Sequence, residues 1–243
     1  MTSYHGGKQR IGKELANIIF EESTLIEQEE SFVIRGYCEP FCGMLGVYRH
    51  IPDLFQDHKP KLKYKAGDQN KSVIMMWQKA QKGWKPSTKL TSEEKFKRMK
   101  RDGRSSAEKG FVGHLYGYMG KYFQPFDYRI TKERLIKNSN KISDIALDLN
   151  MVDFKHGNYK NFSTLKNYII YCDPPYQVSA DYYSETGQRT HFDHQQFWDW
   201  CRKMAKNNIV FISEYNAPKD FEKIASIKTK TAGNPKIDNL YII

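Results

Sequence analysis

The chain has no apolar run approaching the roughly 20 residues that a membrane-spanning helix needs, so no such helix is expected. Met1 to Lys8 lacks the apolar segment of a signal peptide. Cysteine is scarce: Cys38, Cys42, Cys172 and Cys201 are the only four, and no two form a CxxC pair. That argues against a zinc ribbon and against a disulfide framework, and no metal centre is expected. Three of the four lie in or beside apolar segments and read as core residues. The sequence has no internal repeat. Together these absences point to the cytoplasm, or to a compartment continuous with it. The 243 residues suffice for one large domain or a domain with an insertion.

Acidic residues are scarce in one place only. Residues 79–141 carry 17 Lys/Arg against 6 Asp/Glu, and elsewhere the two signs balance at 22 each. One segment therefore holds the whole net charge of +11. The same segment contains Trp84, Phe111, Tyr116, Tyr118, Tyr122, Phe123, Phe126 and Tyr128. Cations interleaved with flat rings suit a polyanion that offers bases for stacking, which is nucleic acid. A charge run by itself also fits a solvated, lysine-rich face.

Strand-like and helix-like segments alternate on either side of this stretch. Apolar spacing predicts helices over Ile11 to Phe20, Ser72 to Lys82, Ile142 to Leu149 and Phe192 to Ala205. A further helix starts near Val47 and is closed by Pro52. Thr91-Ser92-Glu93-Glu94 reads as the capped start of a basic helix ending near Arg101. Strands are expected over Phe32 to Tyr37, Leu62 to Gly67, Met151 to Phe154, Tyr168 to Tyr171 and Ile209 to Ser213. Ile224 to Thr229 and Asn239 to Ile243 are expected to pair as an antiparallel hairpin, and Gly103 to Tyr128 to be loop with short elements. The fold class is α/β with a basic insertion. The division is 1–78, 79–150 for the insertion, and 151–243.

Four motifs carry chemistry. Asp173-Pro174-Pro175-Tyr176 follows the apolar run Ile169-Ile170-Tyr171-Cys172. Proline cannot continue a sheet ladder, so the chain leaves the sheet there. Strand ends are where open α/β sheets bind ligands. A carboxylate and the Pro174 carbonyl can accept the two protons of an amino group, and Tyr176 can stack on a base. A structural proline turn with a capping aspartate is the plain alternative. Glu39-Pro40-Phe41-Cys42-Gly43-Met44-Leu45-Gly46 follows another strand, and its glycines suit close approach of a nucleoside to the backbone. An ordinary tight turn fits as well. Asp68 ends the next strand and could hold ribose hydroxyls or cap a helix. Tyr4-His5-Gly6-Gly7-Lys8 precedes a helix and could face an anionic group, or be a flexible turn.

In their order along the chain, from Tyr4–Lys8 to Asp173–Tyr176, the four motifs resemble the DNA adenine-N6 methyltransferases of the alpha class, over nearly the whole chain. Tyr116-Gly117-Tyr118-Met119-Gly120-Lys121-Tyr122-Phe123 is similar to that family's Gly-Tyr-Asn-Gly segment, with Met119 in place of asparagine. Leu45 stands at the second glycine of its Glu-Pro-Phe-x-Gly-x-Gly pattern. The resemblance implies a Rossmann-like methyltransferase sheet with a C-terminal antiparallel hairpin and an inserted, mainly helical and loop target-recognition domain. It implies S-adenosyl-L-methionine as methyl donor, held by Tyr4, Gly7, Lys8, Phe41, Gly43, Asp68 and Asp173. Asp173, Pro174 and Tyr176 would act on a flipped adenine in double-stranded DNA. Lys95, Lys97, Arg98, Lys100, Arg101 and Arg104 would meet phosphates, with Tyr118 and Lys121 close to bases. Related tetrapeptides also serve cytosine N4, RNA adenine and protein glutamine. A non-catalytic DNA-binding protein on the same scaffold is the rival of another class.

Overall fold

The computed structural model describes residues 7–30, 32–177, 182–183, 189–229 and 236–243. In chain order the elements are α1 (Gly12–Glu29), β1 (Gly36–Glu39), α2 (Ile51–Phe55), β2 (Lys63–Asp68), α3 (Lys71–Ala80), α4 (Glu93–Arg101), α5 (Ala107–Leu115), α6 (Lys132–Asp148), β3 (Asp153–His156), β4 (Tyr168–Cys172), β5 (Tyr182–Tyr183), β6 (Arg189–Thr190), α7 (His194–Ala205), β7 (Ile209–Glu214), β8 (Glu222–Thr229) and β9 (Lys236–Ile242). None of the described helices is long and apolar enough to cross a membrane.

Seven strands form one sheet in the order β3-β2-β1-β4-β7-β9-β8. The first five are mutually parallel, whereas β9 runs antiparallel to both β7 and β8. This is a Rossmann-like α/β sheet closed by the expected C-terminal hairpin. Strand order reverses direction between β1 and β4, the switch point at which such sheets open a crevice. Both strands are wholly buried, and β4 is accordingly a continuous apolar run. Alternate residues face opposite layers. On β4, Ile169 and Tyr171 join the core formed with α1, α2 and α3, while Ile170 and Cys172 join the core under α7. β7 divides in the same way, with Ile209 and Phe211 on one side and Val210 and Ile212 on the other.

Five helices start where a polar side chain can accept an orphan N–H. Asn70 caps Ser72 and Val73, Ser92 caps Lys95, Ser106 caps Lys109, Thr131 caps Arg134, and Asp193 caps Gln196. α4 therefore begins and ends as its sequence indicates.

Other boundaries differ from expectation. α1 continues nine residues past Phe20, and α6 begins ten residues before Ile142. Strand β1 covers only Gly36–Glu39, because Val33 is exposed and has no ladder to join. Pro52 sits in the first turn of α2 instead of closing it, where its missing N–H costs nothing. The stretch Gly103 to Tyr128 contains a nine-residue helix, α5, in addition to loop. Gly110 and Gly113 weaken its helical signal, yet packing requires them. A Cβ on Gly110 would lie 2.3 Å from the Ser72 carbonyl oxygen on α3, and one on Gly113 would lie 2.4 Å from the Tyr122 ring. The basic segment thus shares a core with the sheet layer: Phe96, Phe111 and Phe123 belong to the same apolar cluster as Trp77 of α3.

Gly110→Ala should destabilise the protein by about 2 kcal/mol in urea unfolding, because overpacking outweighs the roughly 1 kcal/mol of helix propensity that alanine adds. Unchanged stability would mean that α5 does not pack closely on α3.

Candidate active site

The chain leaves β4 through Asp173, at the C-terminal edge of the sheet beside the end of β1. The residue ahead of α1 reaches the same place. Lys8 Nζ lies 2.7 Å from Asp173 Oδ1 and 3.5 Å from Oδ1 of Asp238 on β9. The Tyr176 hydroxyl donates to Asp238 Oδ1 at 2.6 Å. The Lys8 ammonium also stands 4.6 Å from the Tyr176 ring centroid, and Tyr215 packs edge-on against that ring at 4.7 Å. Lys8 is 6 % exposed, Asp173 18 % and Asp238 14 %.

Burial by itself would lower the pKa of Lys8, but the charges of Asp173 and Asp238 more than reverse this and hold the ammonium protonated. Asp173 moves the other way from a simple ion-paired acid. Burial raises its pKa, the charge and hydrogen bond of Lys8 oppose the rise, and the charge of Asp238 adds to it. Burial sets the direction for Asp173, and the two carboxylates beside one ammonium set it for Lys8. Asp173 is left a better hydrogen-bond acceptor than a carboxylate with its own private cation.

A second group of residues lies at the ends of β1 and β2. Asp68 accepts the N–H of Gly43 at 3.0 Å and that of Asn70 at 2.7 Å. A carboxylate has about four acceptor sites, so capacity remains for a diol. Burial raises the Asp68 pKa, and the two N–H bonds oppose it. Gly43 has a positive φ of 42°, and its carbonyl accepts the Trp77 indole N–H at 2.9 Å. Leu45 takes φ 55°, the left-handed conformation that favours glycine, with its side chain fully buried. A Cβ on Gly46 would come within 3.0 Å of the Lys8 backbone, so the N-terminal segment crosses directly over this turn. Glu39 is buried and accepts the Tyr37 hydroxyl at 2.7 Å, and burial raises its pKa well above the usual range. A turned backbone at Gly43 and an acid at the neighbouring strand end fit an adenosyl group.

Of the remaining expected site residues, Tyr4 lies outside the described residues. Gly7 directly precedes Lys8, and Pro174 is buried. Phe41 is half-buried and packs with Tyr159, Phe192 and Phe197. Lys95, Lys97, Arg98, Lys100 and Arg101 lie on α4, with Arg104 just beyond it. Lys97 pairs with Glu93 at 2.7 Å and Arg104 with Asp102 at 2.6 Å. Both pairs are on the surface and hold their cations only weakly. Tyr118 is exposed on a turn closed by the Gly117–Phe126 bridge, and the Arg129 guanidinium lies 5.2 Å from its ring centroid. Lys121 follows on the same turn and is half-buried.

The sequence reading missed Asp238, Glu214, Tyr215 and His194. Glu214 ends β7 with no exposed surface, and it accepts the N–H of Tyr215 at 2.7 Å and of Gln177 at 3.1 Å. It ties the loop after Tyr176 to the sheet. His194 Nε2 lies 2.8 Å from the Pro175 carbonyl oxygen and 4.0 Å from Glu214 Oε2. A polar residue closing an apolar strand was the available signal for Glu214. Asp238 gave none, since its position depends on hairpin register.

A family model for the D12 class N6 adenine-specific DNA methyltransferases matches residues 107–232. The match takes in Asp173 to Tyr176 and covers just over half of the chain, which belongs to this family of methyltransferases. Their methyl donor is S-adenosylmethionine. Among curated proteins, none matches the sequence. Similar solved structures include the rRNA methyltransferase aviRa from Streptomyces viridochromogenes, at 9 % identity and TM-score 0.39 over 95 % of this chain and 84 % of that one. They also include the putative methyltransferase yhhF from Escherichia coli, at 10 % identity and TM-score 0.36 over 92 % and 84 %.

Burial raises the Glu214 pKa from 4.5 to about 7, against the two N–H bonds and the charge of Lys8, with Asp173 adding to the rise. The native state therefore binds this proton more tightly than the unfolded chain. The stability it contributes is complete below about pH 4.5 and is lost as pH rises to about 7. Glu214→Gln should flatten the fall in unfolding free energy across that window. A parallel pH profile for the variant would show that Glu214 does not titrate there.

Proposed function

We propose that this methyltransferase methylates the N6 amino group of an adenine flipped out of double-stranded DNA. The observation that carries the reading is the pairing of a half-buried, charge-tuned carboxylate with a proline carbonyl at the strand exit. An adenine amino nitrogen is conjugated with its ring and is a poor nucleophile. Asp173 accepts one N–H and the Pro174 carbonyl the other, which favours a pyramidal nitrogen with its lone pair exposed. S-adenosylmethionine supplies a methyl group already activated by its positive sulfur. Positioning and electrostatics supply the rest. Gly43 and Asp68 hold the nucleoside part of the donor, with Gly7, Lys8 and Phe41 around it and Tyr4 as a further candidate. Tyr176, anchored through its hydroxyl, offers a ring to the extruded base and recovers part of the few kcal/mol that flipping costs.

Residues 79–150 serve as the target-recognition segment, between the two parts of the catalytic domain at 1–78 and 151–243. Lys95, Lys97, Arg98, Lys100, Arg101 and Arg104 face phosphates, while Tyr118 and Lys121 lie near bases. The enzyme then works wherever the host cell keeps its DNA, the cytoplasm included.

Nucleoside mass spectrometry of unmethylated DNA, after incubation with protein and S-adenosylmethionine, tests the reaction. N6-methyladenine is expected from the wild type, with a loss of about 100-fold or more for Asp173→Ala. Methylcytosine, or product on RNA alone, would overturn the substrate assignment. DNA binding without any product would favour the non-catalytic scaffold. Lys95, Arg98, Lys100 and Arg101 have no ion pair among the described residues. If these four meet phosphates, DNA affinity should fall about a hundredfold between about 50 and 200 mM salt. Affinity independent of salt would remove α4 from the interface.

A further inference from the structure

The turn Asp173-Pro174-Pro175-Tyr176 cannot hold itself through its prolines. Neither has an N–H, so two successive residues donate nothing to a ladder or to a neighbouring loop. The rings fix φ, and Pro174, itself ahead of a proline, is confined to extended backbone. That sets the direction of the Pro174 carbonyl. The ψ rotation of Pro175 is less restricted, and it directs the chain into Tyr176.

At that point a side chain from another element takes hold. His194 Nε2 lies 2.8 Å from the Pro175 carbonyl oxygen. A carbonyl only accepts, so this ring nitrogen carries a proton and donates it. Gln177, on the other side of Tyr176, is held in the opposite sense: its N–H donates to Glu214 Oε2 at 3.1 Å. The same carboxylate oxygen lies 4.0 Å from His194 Nε2. The two anchors stand side by side and bracket Tyr176, one by donating and the other by accepting.

His194 is itself well fixed. It is the first residue of α7, whose start Asp193 caps by accepting the Gln196 N–H at 2.9 Å. Phe197, Cys201 and Met204 bury the inner face of that helix against the sheet. The imidazole is 17 % exposed and packs edge-on against Phe192, with ring centroids 4.9 Å apart. A donor on a packed helix holds its partner more closely than one on a loop.

We propose that His194 is a positioning residue for methyl transfer, which sets the path of the chain from the Pro174 carbonyl to the Tyr176 ring by donating to the Pro175 carbonyl. This rests on the reading of Asp173 to Tyr176 as the place that receives the target base. Without the donor, Pro175 loses this restraint, and the ring that follows samples a wider range of positions beside the base. Transfer is sensitive to such displacement, because the amino nitrogen and the methyl group must meet in line. Gly43 and Asp68, proposed to hold the methyl donor, lie at other strand ends and are left as they were.

Steady-state methylation of unmethylated duplex DNA by the full chain tests the proposal. His194→Phe keeps a flat ring and removes the donor, and kcat should fall about tenfold or more, with KM for DNA and for S-adenosylmethionine within about twofold of wild type. His194→Gln, whose amide N–H can reach the same carbonyl, should recover kcat to within about threefold of wild type. His194→Leu provides a second variant without a donor should the phenylalanine protein be unstable, with thermal unfolding followed for each. A folded variant without the donor that keeps wild-type kcat, or a folded glutamine variant as slow as the phenylalanine one, would overturn the proposal and leave the reading of the site in place. Wild-type protein that transfers no methyl group to DNA would instead refute the reading on which it rests.

Discussion

The position of Lys8 is the constraint around which the site is built. A lysine side chain that is almost fully buried needs carboxylates to remain charged, and among the described residues those beside Lys8 come from distant parts of the chain. Asp173 is 165 residues away in sequence and Asp238 belongs to the last strand. Holding one ammonium between them draws the N-terminal segment, the exit from β4 and the C-terminal hairpin to one point. The sheet makes this possible, because parallel β1 and β4 diverge at the switch point and leave their C-terminal ends open. The N-terminal segment reaches that edge by crossing the turn after β1, and Gly46 permits the crossing because a side chain there would press on the Lys8 backbone.

The loops around this point are fixed by backbone hydrogen bonds to a buried and a half-buried acid. Glu214 holds Gln177 and Tyr215 through their N–H groups, and Asp68 holds Gly43 and Asn70 in the same way. Each acid closes one strand and organises the loop that follows. Carboxylates suit this task because they accept several N–H donors without needing a cation. The same burial that makes the arrangement rigid raises their pKa values. Structural and chemical roles thus fall on one residue type at neighbouring strand ends.

Two residues depart from the pattern that the sequence resembles, and both take an unusual backbone conformation. Leu45 and Met119 each have φ 55°. Glycine and asparagine adopt that region at little cost, whereas other residues lose of order 1 kcal/mol there. Leu45 recovers the cost by burying its side chain completely, whereas Met119 is 61 % exposed. The turn conformation is thus kept while the residue that would most easily adopt it has changed. Met119 stands at the tip of the Gly117–Phe126 turn beside Tyr118, where surface geometry and not packing fixes the backbone.

The sequence by itself determined the α/β alternation, the capped start of α4 and the strand exit at Asp173. These depend on interactions within a few residues: caps that accept nearby N–H groups, apolar runs buried on both faces, and prolines that cannot continue a ladder. The helix α5 escaped such reasoning because its glycines serve a contact with α3, not local propensity. Only the tertiary structure decided which charges share the site. The partnership of Lys8 with Asp173 and Asp238 depends on strand order, and the reach of Asp238 to Tyr176 spans 62 residues and depends on hairpin register. A one-residue slip of β9 would turn Asp238 to the opposite face of the sheet. Local chemistry marked the place where the chain leaves the sheet, and long-range packing determined what it meets there.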